Sequence, residues 1–446
     1  MLFEPFKLKS IELKNRILRS SMGGKTSYWG GAMSPAAQQF DTRFAERGVA
    51  AIISATISVD SRRWAPLQYP KISEDRFIGP IQAVVRAVQA HDCRYIIQLG
   101  DGGYHAQMSL FAKPEDSKTA SPMFDLVFGY TNRTTAMTAE EIEKTVANFA
   151  AGARRAREAG CDGVEIAAHK GYLIHQFLNP GTNRRTDAYG GSIEKRFRML
   201  REVITAVRKA VGQDYLLGVR ISAADRNYLP VNLRLPIVFP LKHYLLGNTL
   251  KETIGYGRDL AKMGVDYLHI TSGFGFINPG ESPGSWPADE YRLYANATRH
   301  LSTKARIRAM LLNGLPRPVL TAIFGRGWRY RPAVNADYAH AFKKAIDLPV
   351  IVSGGFDTRT EIDAAIESGK CDLIAMARPL LANPDLLSIF RKGLNAPERP
   401  CTHCNRCAIA TAVLPLGCYD RSRFDSQDAM EAQILWWSGG PPASSD

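Results

Sequence analysis

The sequence predicts an α/β protein built as a (β/α)8 barrel, and three observations point to this fold. Eight apolar runs have the length and composition of buried strands, and helical patterns lie between most of them. Four helical patterns end in a glycine that leads directly into an apolar run, at Gly48, Gly160, Gly264 and Gly369. The chain of 446 residues is also long enough for a barrel of about 250 residues with additions. Strands that alternate with helices in this way close most naturally into a parallel barrel. A doubly wound sheet is the alternative, but no strand leads into a GxGxxG turn.

The predicted elements can be assigned in chain order. The strands lie within KNRILRSS, GVAAIISATIS, RYIIQLG, CDGVEIAA, YLLGVRIS, VDYLHIT, LPVIVSGG and CDLIAMAR. Capping boxes, which pair a threonine with a glutamate three residues later, mark helix starts at Thr138, Thr249 and Thr358. Ser192 begins a further helix, because the apolar residues that follow it recur at helical spacing.

The predicted domains are one barrel over residues 1–395 and a Cys-rich C-terminal extension over 396–446. Two connections exceed the usual short barrel loops, at 223–248 and at 275–337. The second is an insertion between strands six and seven that contains aromatic and basic residues. We expect it to form helices and to cover the site or form an interface.

Composition and charge narrow the classes of function. The formal net charge is +14, which favours anionic partners, but the basic residues are spread along the chain and no nucleic-acid motif accompanies them. The start MLFEPFKLKS does not resemble a signal peptide, and no apolar run approaches the roughly 20 residues of a spanning helix. Seven cysteines, four of them clustered, fit a reducing compartment better than a disulfide framework. We therefore expect a soluble, cytoplasmic protein without nucleic-acid or membrane partners, and the oligomeric state, including a homo-oligomer, stays open.

The end of the fourth strand carries the most informative chemistry. The buried strand CDGVEIAA ends at the polar side chains His169 and Lys170, and Tyr172 follows closely. Active sites of barrels gather at the carboxyl ends of the strands. The sequence therefore predicts His169, Lys170 and Tyr172 as catalytic candidates.

The stretch from Cys161 to Arg198 closely resembles the strand-four region of the Old Yellow Enzyme family of FMN-dependent oxidoreductases. In that family a His-x-x-His-Gly-Tyr-type motif precedes QFLSP, NxRTDxYGGS and ENRxRF, and this chain reads HKGYLIHQFLNP, NRRTDAYGGS and EKRFR. Ordered motifs extend the resemblance over roughly 2–395. The resemblance implies a flavin barrel that takes hydride from NADH or NADPH and passes it to an unsaturated small molecule.

Further residues are implied as FMN contacts. The first strand exits into Ser21, Met22 and Gly23, where the family has an Ala-Pro-Met-Thr-type segment under the ring, so that serine replaces the usual proline. Gln98 ends the third strand and corresponds to the residue that reads the pyrimidine edge of the ring. We also expect Ala55, in the second strand, at the cofactor.

The charged ends of the cofactor have their own candidates. Arg220 corresponds to the arginine that faces the N1/O2 edge of the flavin and stabilises its reduced form. The exits of strands seven and eight offer Gly354, Gly355, Ala377 and Arg378, whose backbone N–H groups and guanidinium can bind one phosphate.

Tyr172 corresponds to the family tyrosine that protonates the substrate while hydride arrives from the opposite face. The family's two carbonyl-binding histidines correspond to Ala167 and Lys170 here, and His169 takes the place of a small residue. Lys170 or His169 would then bind the substrate carbonyl, and substrates with anionic groups become more plausible.

The clustered cysteines are Cys401, Cys404, Cys407 and Cys418. Their pattern, with the asparagine of CxxCN, is similar to the Fe–S segment of trimethylamine dehydrogenase and 2,4-dienoyl-CoA reductase, with slightly different spacing. Four thiolates can hold a 4Fe-4S cluster or zinc, and free thiols are the third option. His403 is expected to be a solvated neighbour, and Cys93, Cys161 and Cys371 are expected to be inert core thiols.

The sequence thus favours an FMN-dependent NAD(P)H oxidoreductase of the ene-reductase type, without the C-terminal nucleotide-binding domains of the trimethylamine dehydrogenase branch. Two alternatives stay open. One is a dehydrogenase or demethylase that runs the flavin in the oxidative direction, and the other is an iron–sulfur flavoprotein with an electron-transfer role.

Overall fold

The computed structural model describes residues 1–24, 26–61, 69–103, 118–122, 134–225, 247–275, 284–300, 303–325 and 327–440. Most of the long connection predicted at 223–248 and parts of the insertion predicted at 275–337 lie outside the described residues.

Within the described chain, eight parallel strands close into a barrel, as the sequence predicts. Two short strands precede it and form an antiparallel hairpin, β1 (Phe6–Leu8) with β2 (Ile11–Leu13). The barrel strands are β3 (Ile17–Arg19), β4 (Ala51–Ser58), β5 (Arg94–Gly100), β8 (Gly163–Ala168), β9 (Leu216–Ser222), β10 (Tyr267–Thr271), β11 (Val350–Ser353) and β12 (Leu373–Met376). A small outer pair, β6 (Lys118–Thr119) with β7 (Thr135–Ala136), lies between β5 and β8 in the chain. All eight predicted strand segments contain a barrel strand.

Helices connect the strands in the expected alternation. Those of the barrel are α1 (Pro35–Glu46), α2 (Ile78–Gln89), α3 (Ala139–Glu158), α4 (Leu173–Leu178), α5 (Ile193–Val211), α6 (Leu250–Lys262), α10 (Ala336–Ala345), α11 (Arg359–Glu367), α12 (Arg378–Ala382) and α13 (Leu386–Arg391). The insertion contributes α7 (Ala288–Thr298), α8 (Thr303–Gly314) and α9 (Arg317–Phe324), and the C-terminal segment contributes α14 (Arg406–Ala410) and α15 (Gln427–Trp437).

Local signals placed the helix boundaries correctly. Thr138, Thr249 and Thr358 each form the complete predicted capping box, and the Ser192 hydroxyl caps α5. The four glycines at the helix-to-strand joints all adopt positive φ angles, between 67° and 93°. These joints reverse the chain from the outer helical layer into the barrel wall.

The barrel interior is filled by side chains and is not a pore. Its lower layer, beside the β1–β2 hairpin, is apolar and includes Leu18, Ile96 and Tyr267. A Cβ atom on Gly218 would lie 2.0 Å from the Tyr267 ring, so glycine is required beside that ring. A second core, between the strands and the surrounding helices, is continuous around the barrel.

The described part of the insertion is helical, as expected. Its three helices pack on one another through Ala295, Ala309, Leu312 and Leu320. Tyr294 and Ala305 also belong to a cluster that contains Tyr69 and Tyr172. The insertion therefore covers part of the barrel mouth near the end of β8.

The C-terminal segment returns to the start of the barrel. Trp437 stacks on Phe44 of α1 with ring centroids 4.3 Å apart, and Arg43 donates to the Trp436 carbonyl at 2.7 Å. Among the described helices, none combines the length and apolar character that crossing a membrane requires.

Candidate active site

A cleft of about 230 Å³ opens at the carboxyl ends of the barrel strands. Its walls come from the exits of β3, β8, β9, β10, β11 and β12, from Tyr69 and from the C-terminal segment that carries the clustered cysteines. Ten of the predicted site residues line it, namely Ser21, Met22, Gly23, Lys170, Arg220, Gly354, Gly355, Ala377, Arg378 and Cys407. The seven others do not line it, namely Ala55, Gln98, His169, Tyr172, Cys401, Cys404 and Cys418.

Gln98 lies beneath the cleft and contacts it through Ser21. The Ser21 hydroxyl donates to Gln98 Oε1 at 3.2 Å, and Thr56 Oγ1 lies 2.5 Å from the same oxygen. The Gln98 amide nitrogen donates to Glu165 at 2.7 Å. Gln98 is fully buried, so its side chain is fixed in one orientation by partners on three strand segments.

Glu165 is the centre of a buried polar network that the sequence reasoning missed. Besides Gln98, it accepts from the Tyr267 hydroxyl at 3.1 Å and contacts His269 Nδ1 at 3.0 Å. Burial by itself would raise the pKa of Glu165, but the interactions with His269, the charge of Arg220 and the hydrogen bond from Gln98 hold it below its ordinary value. Burial and Arg220 lower the pKa of His269 to about 4, despite Glu165. A buried carboxylate therefore faces a neutral imidazole under the cleft.

This network had one signal in the sequence. Glu165 is the only ionisable residue between the ends of the apolar run GVEIAA. A charged residue inside a fully buried strand is rare unless it is paired. The identity of its partner on β10 could not be read from the chain.

Arg220 reaches the cleft from β9. It is 5% exposed, and its Nη2 donates to the Ser353 hydroxyl at 3.1 Å. The strand register sets Arg220 beside Ala167 on one side and His269 on the other. Its positive charge lowers the pKa of His269 and helps to lower that of His169.

The turn after β8 holds the three predicted catalytic residues. Lys170 has a φ of 49°, is partly buried and lines the cleft. His169 is 2% exposed, and neither of its ring nitrogens has a hydrogen-bond partner among the described residues. Burial, together with the positive charges of Arg220 and Lys170, lowers the pKa of His169 well below its ordinary value. His169 is therefore a buried, neutral imidazole packed edge-on against Tyr172.

Tyr172 connects to the cleft through a second tyrosine. Its hydroxyl lies 3.4 Å from that of Tyr69, which lines the cleft, and 3.1 Å from Thr56 Oγ1. Burial raises the pKa of Tyr172, although the hydrogen bonds from Thr56 and Tyr69 and the charge of Arg220 oppose the change. The phenol stays protonated at neutral pH, as a proton donor must.

The loops after β11 and β12 form the other end of the cleft. Gly354 and Gly355 have φ angles of 115° and 78°, and a Cβ atom on Gly355 would lie 2.5 Å from the Arg331 carbonyl. Only glycine fits there. Ala377 precedes α12, and Arg378 is the first residue of that helix and hydrogen-bonds Asn405. The loops thus bring a guanidinium and two glycine peptides to one wall.

Ala55 lies where the pairing of β4 with β5 is irregular, between Ile53 and Thr56. Its carbonyl accepts from the Ser54 hydroxyl at 2.7 Å. The irregular pairing turns Thr56 towards Gln98 and Tyr172, while Ala55 itself stays partly exposed.

The four clustered cysteines line one small cavity beside the cleft. Arg378, Leu381 and Cys407 line both spaces and so form the wall between them. Arg423, from the C-terminal segment, donates to Cys418 Sγ at 3.2 Å. Burial raises the pKa of Cys401 to about 11, with Arg378 opposing, and burial also raises those of Cys404 and Cys407.

None of the seven cysteines forms a disulfide bond. In the described part of the chain, no group of three or more His, Cys, Asp or Glu side chains is arranged as a metal site. Cys93, Cys161 and Cys371 are buried as expected, and burial raises the pKa of each thiol.

The expectation that His403 is a solvated neighbour is wrong. His403 is 7% exposed and lines the cleft. Its Nε2 lies 2.7 Å from an Asp357 carboxylate oxygen, and its ring stacks on Tyr330 with centroids 3.8 Å apart. The sequence placed His403 among polar residues, but the carboxylate and the aromatic ring that bury it come from distant segments.

Three comparisons with known proteins agree with this architecture. The model of the family described as "NADH:flavin oxidoreductase / NADH oxidase family" matches residues 1–230 and 326–396. A "Metal reductase" of Desulforamulus reducens is 30% identical over 407 residues, which are 91% of this chain and 51% of the relative. A "Cinnamate reductase" of Clostridium sporogenes is 28% identical over 415 residues, which are 91% of this chain and 54% of the relative. The chain spans about half the length of these two relatives.

Among solved structures, a 2-naphthoyl-CoA reductase in complex with 2-naphthoyl-CoA has the same fold. It superimposes with a TM-score of 0.74 at 22% identity, over 98% of this chain and 58% of the other.

Proposed function

Since the chain belongs to the NADH:flavin oxidoreductase / NADH oxidase family, we propose that it is an FMN-dependent oxidoreductase that reduces alkenes conjugated to a carbonyl group. NADH or NADPH is the reductant. The observation that carries the proposal is the position of Lys170 and Arg220 on the same cleft as the Gly354–Gly355 and Arg378 loops, next to the Tyr69 and Tyr172 hydroxyls.

The residues of the cleft fit FMN. Gly354, Gly355 and Arg378 offer peptide donors and a guanidinium for a phosphate, at the loops that bind phosphate in many barrels. Met22 and Gly23 give an apolar, close-fitting surface for a planar ring, and Ser21 connects that surface to Gln98. When bound, FMN supplies the hydride-transfer chemistry that no side chain here can perform.

The residues at the other end of the cleft would act on the substrate. The Lys170 ammonium would bind the carbonyl or carboxylate oxygen and so draw electrons from the conjugated double bond. Tyr172 would supply the proton for the α-carbon through the Tyr69 hydroxyl, which accepts a hydrogen bond from Tyr172 and borders the cleft. Arg220 would balance negative charge on the reduced cofactor. In sum, NAD(P)H and one proton are consumed, and the saturated product and NAD(P)+ leave.

The charge of the cleft favours a carboxylate-bearing substrate over an amine. Lys170 and Arg220 both line it, and their two positive charges would repel an ammonium group. This argues against the oxidative, amine-dehydrogenase alternative. Cinnamate, the substrate in the name of the relative "Cinnamate reductase", is a carboxylate, which agrees with this preference.

We also propose a second cofactor for the cysteine cavity, a 4Fe-4S cluster that Cys401, Cys404, Cys407 and Cys418 would hold on closing around it. Four thiols line one space, and the guanidiniums of Arg378 and Arg423 beside them would balance thiolate charge. Because Cys407 also borders the cleft, such a cluster would lie next to the flavin. This geometry favours electron exchange between the two sites, which is the feature that an electron-transfer role would require.

Anaerobic stopped-flow spectroscopy tests the main proposal. The purified protein should show flavin absorbance that NADH or NADPH bleaches and that trans-cinnamate or cyclohexenone restores. Reduction of the flavin by amines, with turnover only when an artificial acceptor is added, would instead establish the dehydrogenase alternative. Undiminished alkene turnover after replacement of all four clustered cysteines by serine would exclude an obligatory electron-transfer role for them.

A further inference from the structure

The chain takes an unusual conformation between β8 and α4. Lys170 and Gly171 both have positive φ angles, 49° and 77°, and Tyr172 follows as the N-cap residue of α4. A lysine in the left-handed region is strained relative to ordinary backbone, because its Cβ lies too close to the following carbonyl oxygen. Surrounding contacts must therefore hold this turn in place.

Two side chains of α4 hold the Gly171 peptide from both sides. The Gly171 N–H donates to His175 Nδ1 at 2.9 Å. The Gly171 carbonyl accepts from Gln176 Nε2 at 2.6 Å. Both side chains are almost completely buried, at 2% and 0% exposure, so water does not compete for these bonds.

The hydrogen bond to Gly171 also fixes the tautomer of His175. Because Nδ1 accepts, the ring proton lies on Nε2, which donates to Asp225 Oδ1 at 2.9 Å. The other oxygen of Asp225 accepts from the side chains of Asn179 and Asn248 at 3.0 and 2.8 Å. The Asp225 carboxylate is fully buried and held by donors on both sides.

Asp225 follows the strand that carries Arg220. The chain of bonds from Asp225 through His175 to Gly171 therefore joins the exit of β9 to the exit of β8. It fixes the turn that carries Lys170 relative to the strand that carries Arg220, and both of these cations line the cleft.

We propose that His175 and Asp225 are positioning residues, which hold the Lys170–Gly171 turn so that the Lys170 ammonium faces the substrate carboxylate. The inference rests on the proposed role of Lys170 in substrate binding. Neither His175 nor Asp225 lines the cleft, so both would act through the turn alone.

Two conservative substitutions separate the two bonds of His175. In His175→Asn, the side-chain oxygen occupies the place of Nδ1, so that it can still accept from Gly171 but cannot reach Asp225. In His175→Gln, the longer amide can reach Asp225 but leaves the Gly171 N–H without its acceptor. Phe177→Leu, on the same helix but in a separate core cluster, is the matched control for general destabilisation.

The measurements are calorimetric binding of 3-phenylpropionate to the flavin-loaded protein and hydrogen exchange at Gly171. In His175→Gln the displaced turn would no longer hold the Lys170 ammonium against the carboxylate of the ligand. Because that charge-assisted hydrogen bond would be lost, we expect binding to weaken about tenfold or more. The substitution should also accelerate exchange at Gly171 and leave reduction by NADH unchanged. His175→Asn should stay close to the parent protein in both measurements, and so should Phe177→Leu.

Equal effects of His175→Asn and His175→Gln, or parent-like exchange at Gly171 in His175→Gln, would overturn the proposal. If His175→Gln does not fold, Gln176→Met tests the same turn, because it removes the donor to the Gly171 carbonyl, and unchanged binding and exchange would again overturn it. Lys170→Met separates the role of Lys170 in substrate binding from the positioning role of His175 and Asp225. If it leaves 3-phenylpropionate binding unchanged, the role of Lys170 in the proposed function fails, while exchange at Gly171 still tests the positioning role.

Discussion

The hydroxyl groups of Tyr172 and Tyr69 lie 3.4 Å apart, and only that of Tyr69 belongs to the lining of the cleft. The two residues come from different strand exits, 103 positions apart in the chain. Burial raises the pKa of both phenols, so the pair is neutral at physiological pH. Together they form a short path along which a proton can pass between the turn after β8 and the cleft.

Tyr172→Phe should slow alkene reduction and spare the reaction with NAD(P)H. Loss of a positioned general acid typically costs about 10²–10⁴-fold in rate. Stopped-flow reoxidation of the reduced flavin by trans-cinnamate measures this step. Tyr189→Phe, which removes a hydroxyl bonded to Glu202 away from the cleft, is the control. Parent-like reoxidation in Tyr172→Phe would remove Tyr172 from the proton-donor role.

Lys170→Met should discriminate between substrates. The substitution keeps roughly the length of the side chain but removes the positive charge that would bind a carboxylate. We expect kcat/KM for cinnamate to fall roughly 10-fold to 100-fold, as loss of a charged hydrogen bond implies. The value for the neutral cyclohexenone should fall less. Lys195→Met, at an exposed position of α5, serves as control, and an equal fall for both substrates would contradict a carboxylate-binding role.

Gly355→Ala should reduce both stability and flavin affinity. The alanine would have to keep the left-handed backbone conformation of Gly355, and its Cβ would lie 2.5 Å from the Arg331 carbonyl oxygen. Gly369→Ala has comparable backbone strain, with a φ of 67°, but no atom within 4 Å of the new Cβ. Both variants should lose about 1 kcal/mol or more of unfolding free energy. Only Gly355→Ala should weaken FMN binding in a fluorescence titration, and equal FMN affinity in the two variants would argue against a phosphate site at this loop.

Iron and sulfide analysis of anaerobically purified protein should detect a 4Fe-4S cluster, with about four irons per chain. Cys407→Ser should lose most of the iron, because Cys407 lines the cysteine cavity. Cys371→Ser should keep it, because that buried thiol lies in the main core, outside the cysteine cavity. Stoichiometric zinc, or protein without bound metal, would reject the cluster.

Stability should fall as the pH decreases below about 6.5, because His269 is buried in its neutral form with a pKa of about 4. Between these values the unfolded chain binds a proton that the folded chain does not, so the free energy of unfolding rises with pH. The difference between the two pKa values corresponds to a decrease of about 3 kcal/mol in the free energy of unfolding from pH 7 to pH 4. Denaturant unfolding at several pH values should show a flatter profile for His269→Gln. His91→Gln, at a surface histidine, should keep the parent slope.

The sequence by itself determined the barrel, because the signals for it are local. A capping box such as Thr138 with Glu141, or a glycine such as Gly160, acts within one turn of helix. Its effect on the helix end therefore depends only on neighbouring residues. The eight strands, including the one that carries Arg220, and the exits that carry Ser21 and Arg378 could therefore be placed in order. The helical nature of the insertion could also be predicted.

Only the tertiary structure decided how the site is held together. Glu165 with His269, His403 with Asp357 and His175 with Asp225 join residues that are 104, 46 and 50 positions apart. Such pairs depend on strand register and on loop paths, which a local pattern does not specify. The same reason explains why Gln98 does not line the cleft but lies beneath it, hydrogen-bonded to the lining residue Ser21. The residue types at the strand exits can be read from the sequence, whereas the relative positions of these residues are set only when the barrel closes.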